Sequence, residues 1–173
     1  MQRKLLLMVL AITFCGIANA QTPYTNTPDT SHSGQRILNG TITKYIFKND
    51  SATFPWFLRN TKFYSLNDSL VDAMQANKGK LHYLIFGGSW CEDTQNILPR
   101  FFKTQEAAGV SDADITMFGL DRNKKIIGNV SAAFGITHVP TIVIMRNGKE
   151  IGRLVEYGQT GDWDREFLQI LMQ

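Results

Sequence analysis

One thiol carries most of the chemistry available to this chain. Cys91 stands in Trp90-Cys91-Glu92-Asp93-Thr94, preceded by the apolar run Leu84-Ile85-Phe86 and the pair Gly87-Gly88 and followed by a helical pattern. That order reads as strand, turn and helix, with the sulfur at the helix start. Helix N-termini leave backbone N–H groups unpaired and carry partial positive charge, so a thiolate there is stabilised. Thr94, one turn on, is placed to aim its hydroxyl at the sulfur, while the carboxylates of Glu92 and Asp93 oppose the anion. Farther along the chain comes His138-Val139-Pro140-Thr141, then Ile142-Val143-Ile144-Met145 and the turn pair Asn147-Gly148.

A lone nucleophilic sulfur restricts the mechanism. Its thiolate attacks an external disulfide and forms a mixed disulfide, and with no second thiol in the chain another molecule must release it. The expected partners are a thiol- or disulfide-bearing protein or a small thiol. Peroxide would take the same sulfur to a sulfenic acid, but no arginine adjoins the motif. His138 with Cys91 alone is a poor metal site, and no metal or cofactor is expected. No phosphate loop, paired-acid site or Ser/His/Asp triad stands out. His32 and His82 read as surface or packing residues, and Asp121-Arg122-Asn123-Lys124-Lys125 as a solvated loop.

The chain opens on an export pattern. Arg3 and Lys4 precede an apolar stretch, Leu5 to Ile12, and Ala18-Asn19-Ala20 is a small-residue cleavage pattern. The apolar stretch is short against the ~20 residues that span a bilayer. Residues 1–20 therefore read as a signal peptide, and the mature protein as exported, periplasmic or extracellular, with no membrane segment. Cleavage removes two positive charges, so the net charge drops from +3 to +1. The basicity gives no argument for nucleic acid. It also removes Cys15, which leaves Cys91 without a partner in its own chain for an oxidising compartment. Oligomeric state is left open by the sequence.

The elements that must position this sulfur follow from the pattern. Residues 21–36 are too polar to fold alone and read as a flexible lead. Residues 37–48 suggest one or two short strands broken at Asn39-Gly40, and Phe54 to Tyr64 is aromatic-rich and has no assignment. Asn67 or Asp68 caps a helix ending near Gly79. Leu81 to Phe86 is a buried strand. Ser89 with Glu92 forms a capping-box pattern for a helix to about Gln105 with Pro99 inside. Ile115 to Leu120 is a strand, and Ile127 to Phe134 a short helix. Thr141 to Met145 and Lys149 to Glu156 form a hairpin across Asn147-Gly148, and Asp162 to Met172 a closing helix. Helix-linked strands should be parallel and the last pair antiparallel.

This order and these motifs resemble the thioredoxin-like superfamily over roughly residues 68–172. Trp90-Cys91-x-x with Pro99 in the same helix is one pillar, and Val139-Pro140-Thr141 the other. Phe134-Gly135-Ile136 and Arg146-Asn147-Gly148-Lys149 are also similar to thioredoxin. The match is nearest in kind to exported bacterial members carrying Trp-Cys-Glu-Asp-Thr. The resemblance implies an α/β thioredoxin-like fold: a mixed central sheet with helices on both faces, here with an N-terminal β extension. Residues 37–173 would form a single domain. It also implies a cis bond before Pro140, facing Cys91, with the Val139 backbone open to an added peptide strand. Trp90, Val139, Pro140 and Glu156 would shape the substrate groove, and Cys91 and Thr94 would act at the reacting sulfur. Four positions depart from the family. Its second cysteine is Thr94, its buried acid falls at Ile85, the accompanying lysine falls at Met117, and Glu156 replaces a common glycine. The first three point to loss of intramolecular disulfide closure. Two readings follow: monothiol exchange through Cys91, or a non-catalytic module that binds extended polypeptide beside Pro140.

Overall fold

The computed structural model describes residues 24–173; the expected signal segment, residues 1–20, lies outside them. Six strands form one mixed sheet: β1 (Tyr24–Pro28), β2 (Arg36–Ile42), β3 (His82–Gly87), β4 (Ile115–Gly119), β5 (Thr141–Arg146) and β6 (Lys149–Val155), in the spatial order β1-β2-β4-β3-β5-β6. β3 and β4 run parallel, joined through a helix, and the other neighbouring pairs are antiparallel. The helices are α1 (Lys44–Asn49), α2 (Pro55–Phe63), α3 (Asp68–Ala76), α4 (Glu92–Ala107), α5 (Val130–Ala133) and α6 (Trp163–Leu171).

Strand periodicity divides the apolar side chains between two faces. Tyr83 and Ile85 of β3 enter the larger core with Ile142 and Ile144 of β5, under α2, α3, α4 and α6. Leu84 and Phe86 point the other way, with Val143, into a smaller cluster covered by the chain from Ile126 to Val139. Ile85 and Met117 are register partners on adjacent parallel strands, both buried. The two positions where the family resemblance places an acid and a lysine are thus neighbours across the two strands, and both are apolar.

The N-terminal third departs from the sequence reading. Residues 24–28, expected to be part of a flexible lead, form β1, paired over its whole length with residues 36–40 of β2. Polar side chains suit an edge strand, because pairing there uses backbone groups and needs little apolar burial. Arg36 adds bonds of 2.7 and 2.8 Å to the Asn26 side chain and carbonyl. β2 runs unbroken through Asn39-Gly40. Tyr45, Ile46 and Phe47, expected in a strand, belong to α1. The deciding contacts are tertiary: Phe47 packs in an aromatic group with Phe54, Trp56 and Phe57, and the buried Lys44 ammonium reaches Gln105, Glu106 and Asp112 at 2.8–3.0 Å. The unassigned aromatic stretch is α2, which opens with a proline at its first position.

The later elements follow the pattern closely, except that the helix expected over Ile127 to Phe134 is reduced to the single turn α5, which a left-handed Asn129 precedes. Asn67 and Asp162 cap α3 and α6 by accepting from Leu70 and Arg165. Asn147 and Gly148 both have positive φ, 52° and 75°, as a two-residue type I′ turn requires.

Candidate active site

The sulfur sits where β3 ends and α4 begins. Cys91 is the N-cap residue of α4, in extended conformation, with no side-chain cap bond. The capping box expected from Ser89 does not form. Ser89 instead donates to the Arg36 carbonyl at 2.7 Å and accepts from the Leu38 N–H at 3.2 Å, pinning the active loop to β2. The Ser89 carbonyl accepts from the Gln95 amide at 2.9 Å. Cys91 is partly exposed and free of any disulfide.

Val139 and Pro140 meet this sulfur from the opposite loop. The Val139–Pro140 peptide bond is cis. The Cys91 thiol donates to the Val139 carbonyl, with sulfur and oxygen 3.1 Å apart. The Val139 side chain is buried in the smaller core, against which Cys91 also packs. The Pro140 carbonyl accepts from the Glu156 N–H at 2.7 Å, tying the loop to the end of β6.

Thr94 is fully buried, and its hydroxyl accepts from the Gly88 N–H at 3.2 Å. That bond holds the turn before the cysteine, in place of the expected approach to the sulfur. Glu156 adopts a left-handed conformation, φ 53°. Its side chain borders a separate cavity of about 370 Å³ with His138 and Arg153, so the structure does not bring it to the Cys91 cleft.

Trp90 flanks the sulfur and is held from two sides. Its indole N–H donates to the Leu120 carbonyl at 2.9 Å, and the Arg122 guanidinium lies 4.9 Å above its ring centroid. Gly88 allows this: a Cβ there would meet the Trp90 ring at 2.7 Å. Arg122 forms a double bond pair with the buried Asp29 carboxylate, 2.6 Å from Nη2 and 3.1 Å from Nε. These bonds hold the Asp29 carboxyl below its usual range and, with the nearby Cys91 sulfur contributing, raise Arg122 above its own. His32 Nδ1 lies 2.7 Å from Arg122 Nη2.

In front of the sulfur opens a cleft of about 610 Å³, walled by His32 and Gln35 of the β1–β2 connection, Arg59 and Asn60 of α2, the first turns of α4, and Arg122. The sequence reading placed none of His32, Arg59 or Arg122 at the site. For Arg122 a signal existed. Gly87 and Gly119 are register partners on parallel strands, so Trp90 and Arg122, each three residues farther on, emerge side by side at the strands' carboxyl ends, where sites form in such sheets. For His32 and Arg59 the sequence held none, because their position depends on how β1, β2 and α2 dock.

A thioredoxin family model matches residues 41–162. The chain belongs to the thioredoxin family. Among solved structures it is similar to a Pseudomonas aeruginosa protein of unknown function, at 16% identity over 73% of this chain and 82% of that one, with a TM-score of 0.46. It is also similar to Fasciola hepatica thioredoxin, at 24% identity over 58% of this chain and 88% of that one, with a TM-score of 0.39. A search of curated proteins finds no match. The family match and the sheet order together show the thioredoxin-like fold, and a role in redox or thiol–disulfide chemistry is the general one that family suggests.

Proposed function

We propose that this protein performs thiol–disulfide exchange by a monothiol route through Cys91. The observation that carries the reading is a partly exposed thiol at the N-terminus of a 16-residue helix, 3.1 Å from the Val139 carbonyl and open to a cleft. Cys91 is the one free cysteine among the described residues. The Cys91 thiolate attacks one sulfur of an external disulfide R–S–S–R″, forms Cys91–S–S–R and expels R″–S⁻. A thiol from another molecule then resolves the mixed disulfide. The unpaired N–H groups of the first turn of α4 favour the anionic sulfur. Trp90, Val139 and Pro140 shape the approach, and Thr94 supports the turn that carries the thiol. Export to the periplasm or outside belongs to the same proposal.

Turnover of a disulfide substrate with a thiol reductant, measured for the wild type and for Cys91→Ser, tests the reading. Expected are loss of all turnover in C91S and a mixed disulfide on Cys91 detectable by mass in the wild type. Turnover that survives in C91S refutes it.

A further inference from the structure

The loop after β4 carries a cation that chemistry at Cys91 can use. The Arg122 guanidinium lies 4.9 Å from the ring centroid of Trp90, the residue immediately before the cysteine. The Asp29 carboxylate grips it there, 2.6 Å from Nη2 and 3.1 Å from Nε. The two ends of this ion pair meet different surroundings. The Asp29 side chain is 1% exposed and the Arg122 side chain 32%. Arg122 lines the cleft in front of Cys91, and Asp29 does not. The pair is neutral as a whole, yet its positive end is turned to the cleft.

Asp29 owes its place to the N-terminal extension. It follows β1 directly and closes the β1–β2 connection: its N–H donates to the Gln35 carbonyl at 2.9 Å, and its carboxylate accepts from the Ser31 N–H at 2.9 Å. β1 in turn is paired along β2. A guanidinium fork held at two points by a buried carboxylate keeps one geometry, so the cation is fixed over the indole.

The other charges near Cys91 show what a fixed cation does there. Glu92 and Asp93 of the first turn of α4 line the cleft, as do Arg59 of α2 and His32 of the β1–β2 connection. His32 Nδ1 accepts from Arg122 at 2.7 Å, and His138 is exposed on the loop before Val139. The two carboxylates disfavour an anionic sulfur, while Cys91 must be anionic to attack a disulfide. The helix N-terminus works against those carboxylates, and Arg122 adds a second positive charge on the same side. The interaction is mutual, since the Cys91 sulfur contributes to raising Arg122 above its ordinary value. A role of this kind presupposes the monothiol reading above. We propose that Arg122 is a positioning residue of that exchange: clamped by Asp29 of the N-terminal extension, it holds Trp90 beside the sulfur and sets the charge that the thiolate meets.

Alkylation of Cys91 by the neutral reagent iodoacetamide and by the anionic iodoacetate reads that charge. The ratio of the two rates cancels the thiolate fraction and any general change in access that a variant brings. A unit charge several ångströms away in a water-filled cleft alters such a ratio roughly threefold. The iodoacetate to iodoacetamide ratio is therefore expected to fall about threefold in Arg122→Met and to recover in Arg122→Lys. In Asp29→Asn the neutralising carboxylate is gone while Trp90 still holds the guanidinium, so the ratio should rise by a similar factor. The pH profile of the iodoacetamide rate should move to higher pH in Arg122→Met and to lower pH in Asp29→Asn. Opposite signs separate a charge effect from a clamp that only holds the fold, because breaking a purely structural pair from either side acts in one direction. Should Arg122→Met unfold by stranding the buried Asp29 carboxylate, the double variant Asp29→Asn with Arg122→Met carries the comparison, with a ratio about threefold below that of Asp29→Asn alone. Ratios that stay unmoved, or that move the same way in both variants, overturn the assignment. Opposite shifts in a protein without Cys91-dependent turnover refute the monothiol reading alone.

Discussion

Replacing Gly88 with alanine is the sharpest probe of how the site is held. The new Cβ would sit 2.7 Å from Trp90 Cε2 and 2.8 Å from Nε1, well inside contact distance, so the indole must move. Moving it breaks the 2.9 Å bond to the Leu120 carbonyl, worth about 1 kcal/mol net, and lifts the ring from Arg122, worth about 0.5–1 kcal/mol. Residual crowding adds about 1 kcal/mol or more. Lower freedom of the unfolded chain returns about 0.5 kcal/mol. The net loss is about 2–3 kcal/mol, a fall in Tm of roughly 5–10 °C for a domain of this size. Thermal unfolding followed by circular dichroism measures the fall. Trp56 and Trp163 are buried while Trp90 is partly exposed, so acrylamide quenching reports on Trp90 and should increase. A Tm within 1 °C of wild type with unchanged quenching would refute the argument that Gly88 is there to admit the indole.

Two other changes test the frame. Burial pulls the Asp112 carboxyl upward, but hydrogen bonds from Lys44 and Tyr45 outweigh it and hold the group below its ordinary value. A depressed carboxyl contributes stability that is present above its unfolded pKa of about 4 and is lost as pH falls through the folded value. Lys44→Met should cost about 1–3 kcal/mol at neutral pH, since both acidic partners are half exposed. It should also flatten the loss of stability below pH ~4, as measured by urea unfolding across pH. Glu156→Gly relieves a left-handed residue, a gain of about 1 kcal/mol partly offset by greater freedom of the unfolded glycine. A net stabilisation of about 0.5 kcal/mol is expected in urea unfolding, and destabilisation would show that the Glu156 side chain holds the Pro140 loop.

From residue 67 onward the sequence by itself determined the architecture. Apolar runs, the Asn67 and Asp162 caps, and Asn147-Gly148 are local signals whose physics acts within a few residues, and they set strand, helix and turn with little tertiary help. Cys91 at a helix start and Pro140 ahead of a strand were legible for the same reason, as was the loss of the second cysteine at Thr94. Tertiary structure decided what surrounds the sulfur. Ser89 and Thr94 carry hydroxyls that can serve several partners, and docking of β2 and the Gly88 turn selected among them. Residues 24–28 lack the apolar content to fold alone, yet the open edge of β2 ordered them, because backbone pairing is indifferent to side-chain polarity. That pairing brings Asp29 to Arg122 and His32 to the cleft across some ninety residues of chain. No periodicity or spacing encodes a contact of that range; only the packed sheet creates it.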